Sequence, residues 1–180
     1  LCASARSIFL ITDRPIRVND RVKIEHIGRH WGAWGDVKDI GLRRTRICNT
    51  DGISVNYPNS LLANSVITNF SFSDSPVRVR IRLQVDYTAD LELTEKLIIE
   101  AIESCGKVIP GSAQVVVRSL WDDTGGHQLS GVLLEGRYRI DDVRKRTAIR
   151  STVLTAILTI FQKNEIPLAI PGVRIESGSK

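Results

Sequence analysis

Along most of this chain apolar and polar positions alternate with a period of two, and two longer stretches switch to helical spacing. In the first part the alternation predicts strands over Arg21–His26, Asp36–Ile40, Leu42–Cys48, Ile53–Tyr57 and Val66–Phe70. Ile53, Val55 and Tyr57 alternate with Ser54 and Asn56, the signature of a half-buried strand. Leu42, Thr45 and Ile47 share a strand with Arg43, Arg44 and Arg46. Thr50-Asp51-Gly52 supplies a tight turn, because glycine takes φ > 0 without steric cost. Pro58 stops the ladder, having no N–H to donate, and Asn59 stands where it would cap a short helical turn over Ser60–Asn64. Gly28, Gly32, Gly35, Gly41 and Gly52 are expected at turns or bends. Short strands with glycine-rich turns argue for a small barrel or open sandwich.

Ser71–Pro76, rich in Ser, Asp and Pro, is the expected boundary. Beyond it Val77, Val79, Ile81, Leu83 and Val85 alternate with Arg78, Arg80, Arg82 and Gln84, giving a strand with one apolar and one cationic face. Leu91–Cys105 reads as a helix with Leu93, Leu97, Ile98, Ala101 and Ile102 on one stripe, closed by Gly106 as a C′ glycine. Gln114–Trp121 and Leu129–Ile140 read as strands joined by Asp122–His127. Asp141 or Asp142 caps a long helix ending near Asn164, with Val143, Ala148, Val153, Leu154, Ile157, Leu158 and Phe161 as buried candidates. Val173–Ile175 is a possible last strand. The order β-α-β-β-α-β is that of a ferredoxin-like unit.

Composition changes this picture little. The chain has 180 residues, 42% of them hydrophobic, enough for one domain or two small ones with packed cores. Its net charge is +5, carried by 18 arginines and 7 lysines against 20 acids. That excess fits a solvated basic surface, a nucleic-acid surface, an ion-conducting vestibule or contact with anionic lipid. Cys2, Cys48 and Cys105 are far apart and odd in number, which argues against a disulfide framework or a metal-binding pair. The chain starts at Leu1 and contains no methionine, and is therefore expected to be part of a longer protein.

Candidate chemistry is sparse. His26 and His30 flank Gly28, and no acid or cysteine nearby completes a zinc set. His127 lies in a glycine-rich turn beside Asp122 and Asp123. Gly125-Gly126 lacks the context of a dinucleotide loop or a P-loop, and no G-x-S-x-G elbow occurs. Asp90, Glu92, Glu95 and Glu100 form a charged helix face. No catalytic residue, cofactor or metal is expected.

The ordered set Arg14-Pro15-Ile16, Asp20-Arg21-Val22, Val37, Ile40-Gly41, Thr45, Asp51-Gly52, Tyr57-Pro58-Asn59-Ser60, Ile67 and Asn69-Phe70-Ser71 resembles the cytoplasmic β-domain of the small-conductance mechanosensitive ion channel (MscS-like) family. The resemblance covers about sixty residues; beyond Ser73 it is one of element order, with Val85-Asp86-Tyr87 as the best local match. It implies residues 1–14 as the end of a pore-lining helix, 15–72 as a small Sm-like β-barrel or sandwich, and 73–180 as a ferredoxin-like α/β domain. The structural residues it implies are Pro15, Gly41, Asp51, Gly52, Pro58, Asn59, Asn69, Phe70 and Ser71. It also implies a homo-oligomeric ring, heptameric in well-known members, on the cytoplasmic side of the cell membrane. That ring would be joined to the membrane through helices upstream of Leu1. It would support the pore and filter inorganic ions and small solutes during osmotic pressure release.

Arg78, Arg80 and Arg82 are the ion-vestibule candidates. The alternative reading is a basic RNA-binding protein with the same two domains, and a third is a purely structural ring. RNA-recognition sheets of this topology stack bases on aromatics of two central strands, and the strands expected there offer only Tyr138. No nucleic-acid partner is therefore expected. Trp31 and Trp34, bracketing Gly32-Ala33, are expected at subunit contacts or as barrel plugs.

Overall fold

The computed structural model describes residues 15–25, 34–71, 76–122 and 129–169. The chain divides into two compact units at Ser75–Pro76. The expected pore-helix end (1–14), His26, His30, Trp31, His127, Cys2 and the strand Val173–Ile175 lie outside the described residues.

The first unit is a five-stranded antiparallel sheet. Strands β1 (Arg21–Ile24), β2 (Trp34–Ile40), β3 (Arg44–Asn49) and β4 (Ser54–Pro58) form a meander. A one-turn helix α1 (Asn59–Leu62) then returns the chain so that β5 (Ile67–Asn69) pairs with β1, giving the order β4-β3-β2-β1-β5. Alternation fixes the register: Val22, Ile24, Val37, Ile47 and Tyr57 point into a core closed by Ile16 and Leu62. The ladder between β2 and β3 slips at Lys38, a bulge that bends the strand.

Three sequence expectations for this unit need correction. The third strand begins at Arg44, not Leu42; Leu42 sits in a bend and is 78% exposed, while Thr45 and Ile47 are buried. Ile53 stays outside β4 and is also exposed, because the turn it closes faces water. Gly35 is no turn but the second residue of β2, where a Cβ would collide with the Cys48 carbonyl and the Ile47 side chain. Its missing side chain permits the close approach of β3.

The second unit pairs β6 (Val77–Val85), β7 (Gln114–Asp122) and β8 (Leu129–Ile140) in the antiparallel order β6-β8-β7. Helix α2 (Leu91–Glu103) links β6 to β7, and α3 (Arg146–Lys163) follows β8 after a 3₁₀ turn at Val143–Lys145. An antiparallel bridge from Val85 to Leu168 lies on the free edge of β6. These placements have the antiparallel arrangement of a split β-α-β unit. Apolar residues of β6 and β8, among them Val79, Ile81, Leu134, Tyr138 and Ile140, bury against Ile98 and Ile102 of α2 and Ile149, Val153, Ile157 and Phe161 of α3.

The helices depart from expectation in detail. Asp90 caps α2 by accepting a hydrogen bond from the Leu93 amide at 3.1 Å. The buried stripe runs Thr94, Leu97, Ile98, Ala101 and Ile102, and Leu93 is 40% exposed. Thr94 is accepted in the stripe because its hydroxyl donates to the Asp90 carbonyl. Gly106 does not serve as C′: the helix ends at Ser104, whose hydroxyl donates to the Ala101 carbonyl, and Cys105 closes a tighter turn onto Ile102. In α3 the buried line is Ile149, Val153, Ile157 and Phe161, one residue per turn. Val153, Ile157 and Phe161 are buried as expected, whereas Ala148 and Leu158 are exposed and Leu154 and Val143 half-buried, Val143 lying in a 3₁₀ turn capped by Asp142 rather than in the helix.

Tyr138 is fully buried, and its hydroxyl has no hydrogen-bond partner among the described residues. Tyr138→Phe is expected to raise stability by about 1 kcal/mol, the cost of an unsatisfied buried hydroxyl. Burial pushes the phenol from 10.0 up to about 12. Above pH 10 the unfolded chain therefore sheds this proton first, and stability falls between those two values. Thermal unfolding across pH 8 to 12 checks both points. A Phe variant that melts lower at pH 8, or shows the same alkaline fall, would contradict them.

Candidate functional site

The polar face of the second sheet carries a cluster of arginines around one glutamate. On β6 the side chains of Arg78, Arg80 and Arg82 share one face, about 7 Å apart along the strand by the period-2 rise, and all are exposed. The register places Arg139 opposite Arg78, Arg137 opposite Arg80 and Glu135 opposite Arg82. Glu135 has no accessible surface. Arg137 donates to it at 2.8 Å and Arg118 from β7 at 3.4 Å, while Arg80 and Arg82 stand at 3.9 and 3.8 Å.

Four guanidinium groups stand within 3.9 Å of this carboxylate. The Arg137 hydrogen bond, foremost, holds the carboxyl below its usual range against the opposing pull of burial, and the charges of Arg137, Arg118 and Arg80 add to it. Arg80 and Arg82 nevertheless remain 59% and 58% exposed. Four guanidiniums thus share one carboxylate, Arg78 and Arg139 stand beside them on the paired strands, and the face stays strongly positive. Tyr138, the one aromatic the sequence offered for stacking, points to the opposite face and into the core.

The sequence singled out Arg78, Arg80 and Arg82 but missed Arg118, Arg137, Arg139 and Glu135. Arginines alternating along one strand demand a counter-charge on its neighbour. The Glu-Gly-Arg-Tyr-Arg stretch of β8 was the available signal.

The structural residues of the first unit gather at two knots and a turn. At one knot Asn69 donates to the Pro15 carbonyl at 3.1 Å and to Asp20 at 2.7 Å, and accepts from the Ser71 amide at 2.9 Å. Ser71 accepts from the Arg21 amide, and the Phe70 ring stacks on Trp34 with centroids 4.6 Å apart. At the other knot Asn59 does not cap α1, whose N-cap is Pro58 with no side-chain bond. Its fully buried amide donates instead to the Gly41 and Leu42 carbonyls at 2.8 and 3.2 Å, and accepts from the Thr45 hydroxyl at 2.9 Å. Asp51 and Gly52 form the β3–β4 turn, with Gly52 at φ +83°. Its organiser is Asn49, unforeseen from sequence, whose side-chain oxygen accepts from the Asp51 and Ile53 amides. The knots hold strands, and neither presents a nucleophile or a metal set; no metal-binding cluster occurs among the described residues. No helix among the described residues is long and apolar enough to cross a membrane.

Residues 5–72 match the family model described as "Mechanosensitive ion channel, beta-domain". An uncharacterised MscS family protein of Aquifex aeolicus is 27% identical over 164 residues, covering 91% of this chain and 42% of that protein. The miniconductance mechanosensitive channel MscM of Escherichia coli is 27% identical over 172 residues, 94% of this chain but 14% of the channel. This chain therefore spans less than half the length of either relative. Among solved structures, the closed-state crystal structure of Helicobacter pylori MscS superposes with a TM-score of 0.80 at 21% identity, covering 99% of this chain and 65% of that one. Arabidopsis thaliana MSL1 follows at 0.65 and 21%, covering 93% of this chain and 58% of that one. At that identity the likeness shows the fold.

Proposed function

We infer that this chain, a member of the MscS-like family of mechanosensitive ion channels, forms the cytoplasmic vestibule of such a channel. In this reading copies assemble as a closed homo-oligomeric ring, heptameric as in well-known members, joined to a pore in the cell membrane. Two features support the assembly. The first sheet leaves β4 and β5 as its edges in the described structure, and short open edges invite pairing with another copy. The knots at Asn59 and Asn69 fix these edge strands against the rest of the unit. The family comprises channels rather than enzymes, so the work of this chain is to shape a path for ions and small solutes.

The observation that carries the permeation reading is the arginine face. Repeated around a ring and facing the vestibule, it would concentrate anions and tilt permeation toward them, most strongly at low salt. The sheet offers no stacking platform among its described side chains, so RNA affinity is expected to be weak, sequence-blind and salt-sensitive. The deciding experiment changes Arg78, Arg80 and Arg82 to glutamate in the full-length channel and records under an asymmetric salt gradient. A reversal potential displaced toward cation preference supports the reading. An unchanged potential in an assembled channel would sink it.

A further inference from the structure

Arg78 and Arg139 stand directly opposite each other on adjacent strands. Their neighbours Arg80 and Arg137 share the Glu135 carboxylate, but neither Arg78 nor Arg139 has a carboxylate within ion-pairing distance among the described residues. Like charges facing across a ladder repel. These two line one wall of a predominantly polar pocket of about 290 Å³, completed by Arg137, Gln114, Gly111 and Ser112.

The opposite wall is a hydrogen-bonded turn. Ile109-Pro110-Gly111-Ser112 forms a turn closed by the Ser112 amide on the Ile109 carbonyl at 3.1 Å, with Gly111 at φ +72°. A left-handed glycine third is what a type II turn requires, and proline second is common in it. The Ser112 hydroxyl anchors it, donating to the Ile109 carbonyl at 2.6 Å and accepting from the Arg139 amide at 3.1 Å. The loop is thereby tied to the strand that carries Arg139.

We propose that this pocket is an oxyanion site in which Arg78 and Arg139 clamp a phosphate, free or carried by a small solute. A guanidinium is a planar fork matched to two oxygens of one anion, so paired forks favour a tetrahedral oxyanion over chloride. The pocket lies at the small end of ligand sites, which suits such an ion better than a large molecule. The site is independent of whether the face lines an ion path, and its failure would leave the vestibule reading standing.

Titration of the 180-residue chain with inorganic phosphate, followed by ³¹P line width at fixed ionic strength, tests it. Saturable binding is expected, weakened about tenfold or more in the double variant R78Q/R139Q. The same charge removed elsewhere, in K96Q/K163Q, is expected to leave it unchanged. Should R78Q/R139Q fail to fold, R78K/R139K decides, because it keeps charge but loses the forks: weaker binding supports the site and unchanged binding overturns it. Glycerol 3-phosphate binding tighter than phosphate would identify a phosphorylated solute, and the reverse a free ion. Linear, unsaturable broadening, or equal weakening in R78Q/R139Q and K96Q/K163Q, would overturn the proposal.

Discussion

Asn59→Ala is expected to destabilise the first unit by about 3 kcal/mol, since one buried side chain satisfies three polar groups at once. Removing it leaves the Gly41 and Leu42 carbonyls without their donor and the buried Thr45 hydroxyl without its acceptor. It also frees the loop between β2 and β3 from the turn that follows β4. The backbone bond from the Asn59 amide to the Arg43 carbonyl survives, so the loss is one of side-chain chemistry. Asn59→Asp should be worse than alanine, because a carboxylate would face two carbonyl oxygens it cannot donate to. Thr45→Val deletes one arm, and a double-mutant cycle should show coupling between the two positions. Denaturant unfolding gives the energies, and amide exchange around Gly41–Thr45 locates them. A loss below about 1 kcal/mol with unchanged exchange would show that water replaces the amide at no cost.

Asn59 shows where local sequence rules stop. Proline followed by asparagine and serine at a predicted helix start is a local pattern, and local rules assign the asparagine to the cap. Its true partners are 14 to 18 positions away in sequence, and only the closed sheet brings them within reach. Features that depend on period were legible: the strand cores, the stripe of α2 from Leu97 onward, and the split of β6 into an apolar and a cationic face. Features that depend on pairing were not. The close approach at Gly35, the meeting of Pro15, Asp20 and Asn69, and the burial of Glu135 all need a register that no single segment carries. The phase of α3 was legible in Val153, Ile157 and Phe161, but its start was not, because Val143 belongs to a 3₁₀ turn set by the Asp142 cap rather than by hydrophobic spacing. Family resemblance named Pro15, Asn59 and Asn69 without saying what they do, and their hydrogen bonds supply that.

Glu135→Gln is expected to destabilise the second unit by about 2 kcal/mol at neutral pH, and the size of the loss should depend on acid. Gln accepts hydrogen bonds but carries no charge, so Arg80, Arg118 and Arg137 lose their common counter-ion and repel one another. A fully buried ion pair would lose more, but these guanidiniums face water on their outer side and solvent screens them in part. The carboxyl titrates lower in the fold than its usual 4.5, so the unfolded chain takes up its proton first as the pH falls. The stability it contributes is complete well above pH 4.5 and drains away below that value, through the lowered pKa of the folded state. Wild type and Glu135→Gln should therefore differ most at pH 7 and converge toward pH 3. Added salt at pH 7 should narrow the gap as well, by screening the orphaned arginines. Urea unfolding at a series of pH values checks this. A gap that stays constant from pH 7 to pH 3 would mean that shape, not charge, makes the carboxylate matter. The same substitution adds a unit of positive charge to the face in every copy. If that face lines the vestibule, the full-length channel carrying it should favour anions more than wild type does, opposite in sign to the arginine-to-glutamate change.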